Sequence, residues 1–281
     1  MDLIGNTEPI CPYCGAVLKR KPARKTKCKA CGNFMYVRTR PADNQKILVT
    51  EAQREQVEEQ WAIASGYHAE FLAEKENRER VRADLARRFG CQPSENDVQW
   101  AILNQELLDH SRDNYWGFYR NSRLRMGDIL RRDSRLDAAL VTYLEVCYLD
   151  LNGPENRGPN FDVTLMKDFP PFDPRNTATL APGVIGYIFE IVKNQGIAQT
   201  RVESQFFNMA KSVHAALRLP VAPEDAWPTI HEELRDAFEP AEGRCEACGT
   251  PQCKLTRIDS GQSVCQACLR DIRGSESPAN A

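Results

Sequence analysis

The sequence predicts a mainly α fold, a helical central body with a small β-containing module at each end. Three observations carry that expectation. Eight of the eleven cysteines fall into four Cys-x-x-Cys pairs, two pairs near each terminus. Between them, apolar residues recur at helical spacing behind repeated capping signals. Short alternating runs, broken by Pro, Asp, Asn or Gly, gather at the two ends. The divisions expected are a first module over 1–50, a helical body over 51–238, a second module over 244–273 and a disordered tail over 274–281.

The first module contains CPYCG, a basic loop and CKACG, followed by FMYVRTR and KILVT. The last two segments suit strands, with Met35 and Val37 alternating against Tyr36 and Arg38, and the PADNQ link suits a hairpin loop. Thr50 then stands as an N-cap with Gln53 in capping-box spacing. Val57, Trp61, Ala64, His68, Phe71 and Leu72 extend a helical face that Gly66 is expected to kink and Gly90 to end. The Arg/Glu-rich stretch 74–88 reads as a solvated face.

Ser94 and Asp97 repeat the capping pattern before VQWAILNQELL. Residues 115–130 and 136–149 read as a helix pair joined by a brief polar turn. Gly127, Leu130, Ala139, Tyr143 and Val146 supply small, large, small, large and apolar positions, and over about one unit the pair resembles the tetratricopeptide-type repeat. Residues 185–192 and 202–217 are open to a second pair. Between the first pair and these segments, residues 152–182 form a Pro-, Gly-, Asn- and Asp-rich connection around FPPFDP, long enough to be functional or poorly ordered. A final helix is expected over 223–238.

The cysteine pairs carry the chemistry. Cys11-x2-Cys14-x13-Cys28-x2-Cys31 has the spacing of a structural zinc site: four soft thiolates suit tetrahedral zinc, and each Cys-x-x-Cys turn offers two sulfurs to one edge of the tetrahedron. Gly15 and Gly32 close both turns, where a left-handed backbone turns amide N–H groups toward sulfur. This segment resembles the zinc-ribbon family. Cys245-x2-Cys248-x16-Cys265-x2-Cys268 is the second set. Here KLTRI and QSVC are expected to pair around Asp259-Ser260-Gly261, and Cys268 opens a helix through LRDIR. Over about 30 residues this arrangement resembles the treble-clef zinc fingers. Two zinc ions per chain are expected, each held by four sulfurs with no open position, so neither metal is expected to be catalytic. Cys253 is left over, as a spare thiol, a substitute ligand or a packed small hydrophobe. Cys91 and Cys147 lie beside apolar faces and are read as buried structural thiols.

Charge divides the chain unevenly. Between Pro9 and Ala42 stand nine cations, Lys19, Arg20, Lys21, Arg24, Lys25, Lys27, Lys29, Arg38 and Arg40, and no Asp or Glu. From Asp43 onward there are 28 basic and 37 acidic residues. Nine positive charges against a zinc tetrathiolate of formal charge about −2 still favour a polyanion. Phe34, Tyr36 and Tyr13 could stack on bases. The competing account is that the aromatics fill a minute core and the lysines keep it soluble.

The second cysteine set has five basic and three acidic residues between Arg244 and Arg273, which points to protein contact or a structural cap.

Several function classes find no support. No Walker-A, GxGxxG, GxSxG or HExxH motif occurs. The four histidines, His68, His110, His214 and His231, are scattered, and LEVCYLDLNGPEN is assigned no catalysis. The longest apolar stretch, 181–192, is too short to span a membrane and contains Glu190. The N-terminus lacks the basic and apolar regions of a secretory signal. Between Cys31 and Cys245 only Cys91 and Cys147 occur, which suits metal-bound thiolates in a reducing cytoplasm.

The expected function is a non-catalytic zinc-binding adaptor or regulator, its ribbon on nucleic acid or a nucleic-acid-processing complex and its helical body on protein. A component of nucleic-acid metabolism with an active site hidden from sequence, and a purely protein-binding scaffold with two structural zinc ions, are the alternatives.

Overall fold

The computed structural model describes residues 4–238, 241–243, 247–248, 253–258 and 262–275. It is mainly helical, with two small three-stranded sheets near the ends of the chain. The chain forms two compact units, residues 1–93 and 94–281.

In the first unit β1 (Thr26–Lys27), β2 (Phe34–Thr39) and β3 (Lys46–Val49) pair antiparallel in that order. Register follows the alternation in the sequence, with Lys27 opposite Phe34 and Tyr36 opposite Val49. The two faces of β2 are buried against different things. Met35 and Val37, with Leu48, lie on the face carrying Cys11, Cys28 and Cys31. Tyr36, with Ile47 and Val49, meets Val57 and Trp61 of α1 (Glu51–Ala64). The capping box at Thr50 and Gln53 forms as expected, and Trp61 Nε1 donates to the Thr39 carbonyl at 2.7 Å, fastening the helix over the sheet.

The expected kink at Gly66 is instead a break. Helix α1 stops at Ala64, Gly66 takes φ 81°, and α2 (His68–Phe89) starts anew before ending at left-handed Gly90.

The second unit is organised around one helix. α3 (Glu95–Arg112), α4 (Trp116–Arg132) and α5 (Leu136–Leu151) follow one another, α4 packing on both neighbours. From Ala139 to Asp150 every residue of α5 except Val141 is buried. A helix buried on all sides belongs at the centre of a core, and here α7 (Pro182–Gln195), α8 (Gln199–Leu217) and α9 (Pro223–Phe238) complete its surroundings. Tyr148, Phe206, Ile188, Trp227 and Ile230 are among the residues that fill the space between them.

The expected α4–α5 pair is therefore present, whereas α7 and α8 pack on α5 and α9 and not on each other. They are not a second antiparallel pair, because α5 lies where each needs a partner.

Burying α5 so fully draws polar groups inside, and each buried carboxylate has a cation. Arg120 meets Asp150 through two hydrogen bonds of 2.6 and 2.7 Å, and Arg123 pairs with Glu145. Burial pushes the Asp150 carboxyl up, against the pull of Arg120.

The long connection is held at its start and again at Phe172. Buried Asn152 donates to the Tyr148 carbonyl and accepts from the Val221 N–H, and Phe172 is buried against Trp116. A 3-10 turn (Val163–Lys167) lies between these two anchors, and the short α6 (Pro174–Thr177) follows Phe172.

At the C-terminal end β4 (Ala241–Gly243), β5 (Cys253–Arg257) and β6 (Ser263–Cys265) form an antiparallel sheet, followed at once by α10 (Gln266–Ser275). The expected β5–β6 hairpin forms, with Leu255 opposite Cys265, while its turn residues Asp259, Ser260 and Gly261 lie outside the described residues. Strand β4, in the stretch between the expected helical body and second module, adds to the free edge of β5. Helix α10 runs through Ser275, and the remainder of the predicted tail is outside the described residues.

Candidate metal centres and basic surface

The N-terminal cluster is built from two matching turns. Cys11 N–H donates to the Ala16 carbonyl and Gly15 N–H to the Cys11 carbonyl, both at 2.9 Å. Seventeen positions along the sequence, Cys28 and Gly32 make the same two bonds, with Asn33 taking the place of Ala16. Gly15 and Gly32 sit at φ 72° and 75°, a left-handed conformation that costs glycine little. Each turn thus presents two sulfurs on one side, and the packing of Met35 and Leu48 beneath Cys11 and Cys28 brings the turns face to face.

All four Sγ atoms lie within 4.8 Å of one another. Cys11 and Cys31 approach to 3.8 Å, and Cys14 and Cys28 to 3.9 Å. A disulfide would need about 2.05 Å. A tetrahedron with metal–sulfur bonds of about 2.3 Å has edges of about 3.8 Å, so the thiol set fits a tetrahedral metal ion.

The backbone favours thiolate here as well. N–H groups of Cys31 and Ala30 donate to Cys28 Sγ and lower its pKa to about 7. At Cys14 the Ala16 N–H pulls the same way, but loss of solvent and hydrogen bonding with Cys31, Cys11 and Cys28 push it up to about 12. Four crowded thiols cannot all ionise without a cation among them.

The C-terminal cluster brings together Cys248, Cys265 and Cys268, whose Sγ atoms also lie within 4.8 Å of one another. Cys248 and Cys265 are 3.7 Å apart, the same tetrahedral edge. Cys265 ends β6 and Cys268 falls in the first turn of α10, so the strand-to-helix junction sets their spacing. Leu255, Val264 and Leu269 pack around them. Cys245, the fourth ligand expected from sequence, and the side chain of Cys253 lie outside the described residues. Cys147 is fully buried in α5, whereas Cys91 is exposed, contrary to the buried site expected for it.

Among the described residues no histidine joins a group of ligating side chains. His68 Nε2 lies 3.1 Å from Glu59, and His214 Nδ1 is 3.0 Å from the Tyr148 hydroxyl. His110 meets Tyr115 and Phe118, while His231 stacks near Phe238 and Trp227.

The nine cations separate by what they touch. Arg40 is only 5 % exposed; its guanidinium reaches Asp43 and the Ile4 carbonyl, so it serves the hairpin and is withdrawn from any partner. Arg38 reaches Glu58 of α1 at 3.2 Å. Lys21 donates to the Thr7 carbonyl at 2.7 Å and also to that of Lys46. Sequence counting could not see these roles, because apart from Asp43, three residues from Arg40, each partner is a carbonyl or a distant carboxylate.

The other six, Lys19, Arg20, Arg24, Lys25, Lys27 and Lys29, are exposed. Among the described residues no carboxylate pairs with any of them. Of the aromatics read as stacking surfaces, Phe34 is 49 % exposed, while Tyr36 is buried among Ile47, Val49 and Val57. Tyr13 keeps an exposed ring, but its hydroxyl accepts the Glu51 N–H at the start of α1.

Compared with protein-family models, with curated proteins and with solved structures, the chain matches none of them. The class defined by fold and sites is a mainly helical protein with two cysteine clusters able to hold metal ions. No helix among the described residues is long and apolar enough to cross a membrane.

Proposed function

We propose that the protein is a non-catalytic, cytoplasmic adaptor or regulator with two structural zinc ions. Its N-terminal ribbon contacts nucleic acid or a nucleic-acid-processing complex, and its helical body contacts protein. Zinc is the metal we assign to an all-thiolate tetrahedral set of this kind. A reducing compartment keeps those thiols free to bind it.

The observation that carries the nucleic-acid reading is the run of six exposed cations between Lys19 and Lys29 with no carboxylate partner among the described residues. Cations without carboxylate partners keep their full charge available, and displacing counterions from a polyanion drives association. The protein-contact reading draws on Leu108, Phe118, Leu165, Met166 and Phe169, large apolar side chains left exposed on the helical unit.

The test is binding of the intact, metal-loaded chain to DNA and RNA across a salt series. Glutamate at Lys19, Lys25, Lys27 and Lys29 leaves the internal bonds of Lys21, Arg38 and Arg40 in place. This variant is expected to lose most of its affinity and to flatten the logarithmic salt slope by about 3. If the unaltered protein shows no salt-sensitive binding to either nucleic acid, the protein-binding scaffold replaces this reading.

A further inference from the structure

We propose that the β1–β2 edge of the first unit is a single-stranded nucleic-acid site in which Phe34 stacks on an unpaired base while Lys25 and Lys27 hold the adjoining phosphates. The inference rests on the nucleic-acid reading above and narrows it to one strand and one anchoring residue.

The sequence register creates the juxtaposition. β1 is the edge strand of its sheet, and Lys27 stands directly opposite Phe34. Lys25 Nζ lies 4.8 Å from the centre of the Phe34 ring, and Lys27 Nζ lies 5.9 Å from it. Lys25 is also 4.9 Å from the centre of the buried Tyr36 ring. Phe34 keeps 49 % of its surface in solvent although the same strand buries Met35 and Tyr36. Both ammonium groups stand over this ring, and a flat apolar partner reaches its face once the flexible lysine stems swing outward to the partner's phosphates.

Charge selects the kind of flat partner. Both ammonium groups lie near one ring, hence within about 11 Å of each other, close to the ~10 Å Debye length at moderate salt. Neither has a carboxylate among the described residues, and residues 9–42 contain no Asp or Glu. Their mutual repulsion is relieved by an anion beside the ring. A nucleotide of an open strand supplies both parts, a π-face for Phe34 and phosphates for the lysines. A duplex offers the phosphates but keeps its base faces stacked inside, so it satisfies the lysines and leaves the ring uncovered.

The experiment uses the full metal-loaded chain and fluorescence anisotropy with labelled oligothymidine, oligouridine and a hairpin duplex of similar length. Either single strand is expected to bind more tightly than the duplex, and the two strands report the preference between DNA and RNA. Phe34→Ala is expected to weaken single-strand binding about 5- to 100-fold with an unchanged salt slope. Phe34→Trp restores it. Lys25→Gln with Lys27→Gln is expected to reduce the salt slope by about 1.4, since each single-strand phosphate contact contributes about 0.7. Metal content of each variant reports that the fold is intact.

Salt-sensitive binding that favours the duplex, or that is indifferent to Phe34→Ala, overturns this site and leaves the broader nucleic-acid reading standing. Absence of salt-sensitive binding to all three probes overturns both.

Discussion

Gly127 sits in α4 facing Tyr143 of α5, and a Cβ added there would stand 2.7 Å from the tyrosine ring. Tyr143 has little room to retreat. It is fully buried, its hydroxyl donates to Asp128 at 2.7 Å, and its ring neighbours Tyr187, over which Arg131 lies at 4.1 Å. Burial and the adjacent Asp128 carboxylate both hold the phenol in its protonated, donating form. Gly127→Ala improves helix propensity by up to about 1 kcal/mol, but overpacking a core of this kind costs about 1–3 kcal/mol. The clash wins because the obstructing atoms belong to a ring pinned at both ends. The expected outcome is a lower urea midpoint for the helical unit with an unchanged slope; a midpoint equal to or above that of the parent would show that the ring can move aside.

At the level of elements, the β2–β3 hairpin depends on a buried cation with one carboxylate partner. Arg40 and Asp43 close the loop, the Arg40 N–H donates to the Gln45 carbonyl, and Asn44 takes φ 57°. Hydrogen bonding from Arg40 holds the Asp43 carboxyl below its usual range. A lowered pKa in the folded state means that the unfolded chain takes up its proton first as pH falls. The contribution of Asp43 is therefore complete above the ordinary carboxylate pKa and is lost as pH drops through the lower folded value. Thermal midpoints of the parent and of Asp43→Asn should differ at neutral pH and converge in acid. A gap that stays constant over that window would assign the effect to packing and not to ionisation.

For the whole molecule, metal and core are separate sources of order. The first unit has only small apolar clusters around the cysteines and under α1, and the C-terminal sheet is similarly lean. The helical core centred on Tyr148, Phe206 and Trp227 contains none of the clustered cysteines. Small modules of this kind commonly couple folding to metal binding. Protein purified without chelator is expected to carry two zinc ions per chain by elemental analysis. A strong chelator should then remove them and abolish the ordered ends while the circular dichroism retains most of its helical signal. Global loss of helix on chelation, or a metal content well below two, would defeat that division.

Much of this was legible because it is local. Capping boxes at Thr50 and Ser94, the alternation in FMYVRTR and the two Cys-x-x-Cys turns at Cys11 and Cys28 depend on residues within a few positions of one another, and these formed as the sequence alone requires. The mainly helical body with β-containing ends follows from the same short-range patterns. Tertiary structure decided what depends on distant partners. It set α5 between α7 and α8, where helical periodicity suggested a pair, and it placed α1 over the face of the first sheet that lies away from the cysteines. It also sorted nine equivalent-looking cations into three that hold the fold together and six that face solvent. The physical reason is that a charge count records only the supply of cations. Which of them remain available to a partner is set by carbonyls and carboxylates that the folded chain brings from as far as 36 residues away.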